Sequence, residues 1–189
     1  MSEDEGVIGE RGVYFAKQWL ESTTHFDVPH TAYDLTTMTT LPLMPPGKKK
    51  KYDLAGRFLG SGKSPVMCEV KTTASEARQG PEYRQFLANC YSASYREYKD
   101  QVDPKRHYMW ITQHPFLLGK WSKLTSLGYI LESLGEHPDT IDNEVVDQEF
   151  ARELVDRLWI IVLSEPLKKV MLTSDELYQV RGLLKRDEG

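Results

Sequence analysis

The sequence predicts an α/β domain in which helices flank a mixed central β-sheet. Three observations lead there. Apolar residues at helical spacing open and close the chain, β-rich apolar runs fall between them, and no internal repeat or linker divides the 189 residues. One domain over residues 1–189 is therefore expected, long enough to bury a substantial core.

Taken in order, Val7 to Glu21 reads as a helix, because Val13, Ala16 and Leu20 recur at its period beside Phe15 and Trp19. Gly9 and Gly12 weaken its first turns and imply a close backbone approach there. Residues 25–47 are irregular and rich in Thr and Pro, with one edge strand expected from Thr31 to Thr36. A strand from Tyr52 to Leu59 turns through GSGKSP into a second, Val66 to Thr73, so the pair reads as a hairpin. Pro81 to Gln101 is an amphipathic helix striped by Tyr83, Leu87, Cys90, Tyr91, Ser94 and Tyr98. RHYMWIT forms a strand, Lys120 to Leu134 a helical segment, EHPDTIDNE a loop and Glu144 to Arg157 another helix. LWIIVLS reads as a buried strand and KKVML as one more. Thr173 or Ser174 caps a last helix with Glu176 in its first turn.

Bulk properties narrow the function classes. The longest apolar runs are far too short to cross a bilayer, and the opening MSEDEG lacks the basic and apolar regions of a secretory signal. Cys68 and Cys90 share no metal or redox spacing. Reduced thiols, a cytoplasmic location and no membrane are the expectation. A net charge of −4 means that any nucleic-acid contact must come from a local basic patch.

One constellation carries chemistry. Glu69 and Lys71 stand two apart on the expected strand SPVMCEVKTT, so they share one face while Val66, Cys68 and Val70 fill the other. Asp53 lies sixteen positions before Glu69, on the other arm of the hairpin. Phosphodiester cleavage needs charge neutralised on the phosphate and a water made nucleophilic; Mg²⁺ does both when held by one or two carboxylates and waters. Asp53 and Glu69 on paired strands can share one ion, with the Val70 carbonyl as a further oxygen ligand. Glu10 offers a third carboxylate, directly or through water. Lys71 beside the metal orients the attacking water or steadies charge on the phosphorane.

Glu10, Asp53, Glu69 and Lys71 resemble, in order, the motif positions of the PD-(D/E)XK nuclease superfamily. There a glutamate-bearing helix precedes a hairpin with Asp and Glu-x-Lys, then a helix and a further strand. The resemblance covers residues 7–115 and implies a restriction-endonuclease-like fold, a Mg²⁺-dependent (Mn²⁺-tolerant) nuclease, and nucleic acid, DNA first, as partner. It assigns metal ligation to Asp53 and Glu69, water activation to Lys71 and metal support to Glu10. It also implies a homodimer or a partner ATPase or helicase subunit. Tyr52 stands where the superfamily often has proline. RecB-like members add Gln and Tyr four residues apart on the next helix. Here Gln85 is followed by Asn89, so that subgroup is not assigned. The alternative is a catalytically inactive nuclease fold serving as a nucleic-acid-binding or scaffold subunit. An Asp53 on the opposite face from Glu69 would instead suit a plain interaction protein.

Around this set, Lys48, Lys49, Lys50, Lys51, Arg57 and Lys63 either hold a phosphate backbone or solvate a loop that protects a sheet edge. Thr72 and Thr73 either donate to a phosphate or serve as ordinary β residues. A second Glu-x-Lys, Glu97-Tyr98-Lys99, sits on the long helix with no strand aspartate before it and reads as surface charge. His107 and His114 flank the fourth strand without zinc spacing. GSGKS fails the phosphate-loop pattern, because Arg57 stands where its first glycine belongs.

Overall fold

The computed structural model describes residues 3–60, 62–72 and 75–184. Helix α1 (Glu3–Ser22) leads into β1 (Phe26–Thr31). The sequence placed this edge strand at 31–36, but Thr31 ends it. Its hydroxyl donates to the Asp34 carboxylate at 2.7 Å and accepts the Tyr33 and Asp34 N–H groups, folding the chain into a turn. The short strands β2 (Thr40–Pro42) and β3 (Lys49–Lys51) pair antiparallel as a separate ribbon. The lysine run is thus itself a strand.

β4 (Leu54–Phe58) and β5 (Pro65–Lys71) form the expected hairpin, although β4 begins two residues later than the sequence suggested. The reason is a change of partner: the Tyr52 N–H donates to Thr39 O on the ribbon side, and the next N–H, of Asp53, donates to Cys68 O of β5. The chain bends there, and Asp53 lies in the bend rather than on a strand.

Helix α2 (Glu76–Lys99) starts five residues before the proline expected to open it, with the Ser75 carbonyl accepting the Arg78 and Gln79 N–H groups. Pro81, the sixth residue of α2, has no N–H to offer the Ala77 carbonyl and so costs the ladder one hydrogen bond. β6 (His107–Thr112) follows. A 3₁₀ turn (Leu118–Lys123) and α3 (Leu127–Glu136) replace the one helical segment expected there. The acidic loop carries a 3₁₀ turn at Pro138–Ile141, and α4 (Gln148–Val155) is shorter than its sequence window, capped by Asp147. β7 (Leu158–Val162) forms where a buried strand was expected, but it is an edge strand of the main sheet: Leu158 is buried, Trp159 is exposed and the rest are half-buried. KKVML is not a strand: Pro166 favours a helical first turn, and Glu165–Val170 winds into 3₁₀. The final α5 (Ser174–Leu184) has the expected capping box, Thr173 and Glu176 bonding each other's backbone N–H.

Among the described residues the main sheet runs β1-β4-β5-β6-β7, with β1, β4 and β5 antiparallel and β5, β6 and β7 parallel. This is a mixed α/β architecture whose five-stranded central sheet is flanked by helices. One layer packs Val13, Phe15, Ala16 and Leu20 of α1 on Val66 and Cys68; the other packs Tyr83, Phe86 and Leu87 of α2 on Met67 and Trp110. Two glycines permit close approaches. A Cβ on Gly12 would lie 2.1 Å from the Thr72 methyl, the close approach that a glycine at this place in α1 implied. A Cβ on Gly56 would lie 2.3 Å from Asp27 O, beside the register shift between Asp27 and His30 on β1. Among the described residues no helix is long and apolar enough to cross a membrane.

Candidate active site

β5 alternates as its sequence requires. Val66 and Cys68 enter the α1 layer with Val70 packed against it, while Met67 enters the α2 layer. Glu69 and Lys71 follow Met67 onto the α2 side, past the end of the apolar contacts. Glu69 is only 8% exposed, which is rare for a carboxylate without charged partners. Those partners are present. Lys71 Nζ lies 3.0 Å from Glu69 Oε1, and Lys50 Nζ, reaching over from β3, lies 2.8 Å from Oε2. Lys71 also meets Glu82 of α2 at 3.1 Å and rests over the Trp110 ring at 5.3 Å. Burial alone would lower the pKa of Lys71, but the charges and hydrogen bonds of Glu69 and Glu82 outweigh it and hold the group above the ordinary lysine value. Lys71 is therefore a firmly protonated ammonium at neutral pH.

Asp53 reaches the same place from the bend before β4. Its Oδ2 accepts the Val70 N–H at 2.7 Å, taking a donor that faces β4 just beyond the last paired residues. N–H and C=O of one strand residue point the same way, so the Val70 carbonyl faces that edge too. Burial, and next the nearby charge of Glu69, push the Asp53 carboxyl up from 3.8 to about 6; the Val70 N–H and the charges of Lys71 and Lys50 offset only part of this. Asp53 is also felt by the Cys68 thiol, which burial keeps protonated. A cavity of about 170 Å³ opens beside Glu69, between Lys50, Lys71, Glu82, Gln85 and Asn89.

The remaining candidates separate. The charge of Glu10 bears on Tyr14 and Tyr33, and Tyr33 also feels Asp53. Among the described residues no three His, Cys, Asp or Glu side chains gather as a metal cluster, so Glu10 does not complete a triad with Asp53 and Glu69. The basic patch divides as well. Lys48 pairs with Asp139 at 2.9 Å, Lys49 and Lys51 are exposed, and Lys50 turns inward to Glu69. Arg57 pairs with Asp27 at 3.3 Å and, with Lys63, lines a second cavity of about 470 Å³. Arg57 sits opposite Pro65 in register, so this cavity shares the Glu69 face, about 13 Å along β5. Thr72 packs on Gly12 and lines a cavity on the α1 side with Arg11 and Gln113, away from Lys71; Thr73 lies outside the described residues.

His107 accepts from Trp159 Nε1 at 3.0 Å at the amino end of β6, remote from the site. Lys99 is exposed and pairs with Glu144, as surface charge does, whereas Glu97 is half-buried and holds the largely buried Arg106 at 2.6 Å. Both cysteines are free and buried.

Sequence reasoning grouped Lys50 with the phosphate-backbone lysines rather than placing it on Glu69, and missed Glu82 altogether. A run of four lysines has no readable phase until β3 pairs with β2, whereas Glu82 shares its helix face with Gln85 and Asn89, a pattern that period reading can find. Comparison with family models, with curated proteins and with solved structures finds no match.

The residues present suit a hard divalent cation. Two carboxylates and a carbonyl edge supply oxygen donors, and Glu69 Oε2 is buried with no aligned hydrogen bond despite the ammonium beside it.

Proposed function

We propose that the chain is a metal-dependent nuclease of restriction-endonuclease-like fold that hydrolyses phosphodiester bonds of nucleic acid, DNA first. One observation carries the reading: burial, and next the charge of Glu69, push the Asp53 carboxyl up to about 6 while a protonated lysine stands 3.0 Å from Glu69. A perturbed carboxylate beside a second acid and a fixed cation at the end of a strand is the arrangement that metal-assisted hydrolysis uses. The order of elements supports it as well: a glutamate-bearing helix, a hairpin, a helix and a parallel strand.

In this reading Asp53 and Glu69 hold Mg²⁺, or Mn²⁺ in its place, with the Val70 carbonyl beside them. When bound, the ion supplies Lewis-acid charge on the phosphate and a more acidic water. Lys71 keeps its proton, so it orients the attacking water or donates to a phosphorane oxygen and does not act as the base. Glu82 holds Lys71 in that orientation from α2. Glu10 keeps a supporting place beside Tyr33. Arg57 and Lys63, farther along the same face, suit a passing phosphate backbone.

A specific feature favours the second reading, an inactive nuclease fold used as a scaffold: both Glu69 oxygens already face ammonium groups. The deciding experiment incubates the purified protein with Mg²⁺ or Mn²⁺ and a panel of DNA and RNA forms, beside Lys71→Ala. The expected result is cleavage that falls about 100-fold or more in Lys71→Ala, the scale on which a lost charge-stabilising donor acts. Equal cutting by both proteins removes Lys71 from its role. No cutting on any form, together with no stabilisation against heat by either ion, overturns the nuclease reading in favour of the scaffold.

A further inference from the structure

Lys50 belongs to a lysine run, and its neighbours Lys49 and Lys51 point to solvent. Strand alternation sends Lys50 alone inward, to Glu69 Oε2 at 2.8 Å and over the Tyr52 ring at 5.4 Å. The contact is one of charge without alignment, because Oε2 accepts no hydrogen bond of proper geometry. Lys71 differs, since it has Glu82 as a second acid and keeps a partner if Glu69 turns elsewhere. Among the described residues, the carboxylate paired with Lys50 is Glu69.

The local pairing points the same way. Glu82 has Arg78 at 3.8 Å as a further partner, so among the described residues Glu69 is the carboxylate whose compensation rests on Lys50 and Lys71 alone. A divalent ion in place of Lys50 keeps positive charge at Glu69 Oε2. The exchange requires only a side-chain swing. The β3 backbone is fixed by its ladder with β2, and the ribbon turn is tied to α2 through the Met44 N–H on Ser92 Oγ at 2.9 Å. The cavity of about 170 Å³ between Lys50, Glu69 and Glu82 has room for a partly hydrated ion, at ~30 Å³ per water.

We propose that Lys50 is a tethered cation that fills the Glu69 half of the site and must be displaced by the divalent ion. It thereby sets the ion concentration at which the site loads. The inference rests on the metal-site reading above and adds a competitor to it.

The test is Mn²⁺ binding to the full chain, measured calorimetrically without substrate, for the native protein, Lys50→Met, Lys50→Gln, Lys50→Arg and Lys49→Met. Lys50→Met and Lys50→Gln are expected to bind Mn²⁺ about tenfold tighter, the ratio that about 1.4 kcal/mol of relieved competition gives. Lys50→Arg, which retains the charge, and Lys49→Met, on the solvent side, are expected to match the native protein. Native-like or weaker binding by both uncharged Lys50 variants, while the native protein binds the ion, overturns this inference and leaves the metal site standing. No binding by any of the proteins overturns both. Tighter binding by the uncharged variants in a protein that cuts no nucleic acid upholds the inference and counts against the hydrolytic reading alone.

Discussion

Two clusters of buried charge sit at opposite ends of the sheet, and they are built on opposite terms. At the amino end Asp103, ahead of β6, meets Arg157, ahead of β7, at 3.2 Å and Lys105 at 3.0 Å. Burial would raise the Asp103 carboxyl, but the Lys105 hydrogen bonds and the Arg157 charge outweigh it and hold the group below the ordinary range. At the other end burial, and next the charge of Glu69, raise Asp53 to about 6, with the Val70 N–H and the charges of Lys71 and Lys50 offsetting only part of it. Both clusters bury carboxylates, but only the first holds its aspartate below the ordinary range. A carboxylate stabilised in that way is a fastening between strands. One raised by its surroundings is destabilised where it stands, and such perturbed groups belong to sites more often than to scaffolding.

Substitution at the amino end gives the larger effect. Arg157→Leu leaves Asp103 buried with Lys105 alone and removes the guanidinium from the Phe150 face, 5.5 Å away. A loss of about 3–5 kcal/mol is expected in urea unfolding, the range for a buried pair deprived of one partner. A loss under about 1 kcal/mol would mean that this cluster is no fastening.

Asp53→Asn has the opposite sign. The folded carboxyl is raised from 3.8 to about 6, so the stability tied to it is complete below about pH 4 and is lost as pH rises through about 6. In chelator at about pH 8, Asp53→Asn is therefore expected to be more stable than the native protein by about 1–3 kcal/mol, at 1.36 kcal/mol per unit. The gain falls away as pH drops toward about 4 and disappears at about pH 2.5, where the native carboxyl is protonated in both states. Urea midpoints across these pH values measure it. A destabilised Asp53→Asn at the highest pH would remove the contrast between the two ends.

The strand that bears the site was the most legible part of the sequence. Period-two alternation separated Glu69 and Lys71 from Val66, Cys68 and Val70, and the structure keeps that division across its two layers. Gly12 announced a close approach and has one, to Thr72. Where reading failed, the deciding contact was distant. Asp53 stands off its strand because Tyr52 bonds to Thr39 and the chain changes partners after it. Lys50 acquired its direction from β2, nine residues earlier in register. Arg157 and Asp103 are 54 residues apart, and no local pattern links them. Glu10, read in line with Asp53 and Glu69, shares their neighbourhood through Tyr33 rather than through a common cation site.

Calorimetric titration of Mn²⁺ into the native protein and into Glu69→Gln, in two buffers of different ionisation enthalpy, examines the proposed cation site itself. A single ion should bind the native chain and displace about half a proton near pH 6, where Asp53 is half protonated, and close to none near pH 8; Glu69→Gln should bind far more weakly. Absence of binding, or binding that ignores both pH and Glu69, would contradict a cation site between these two carboxylates.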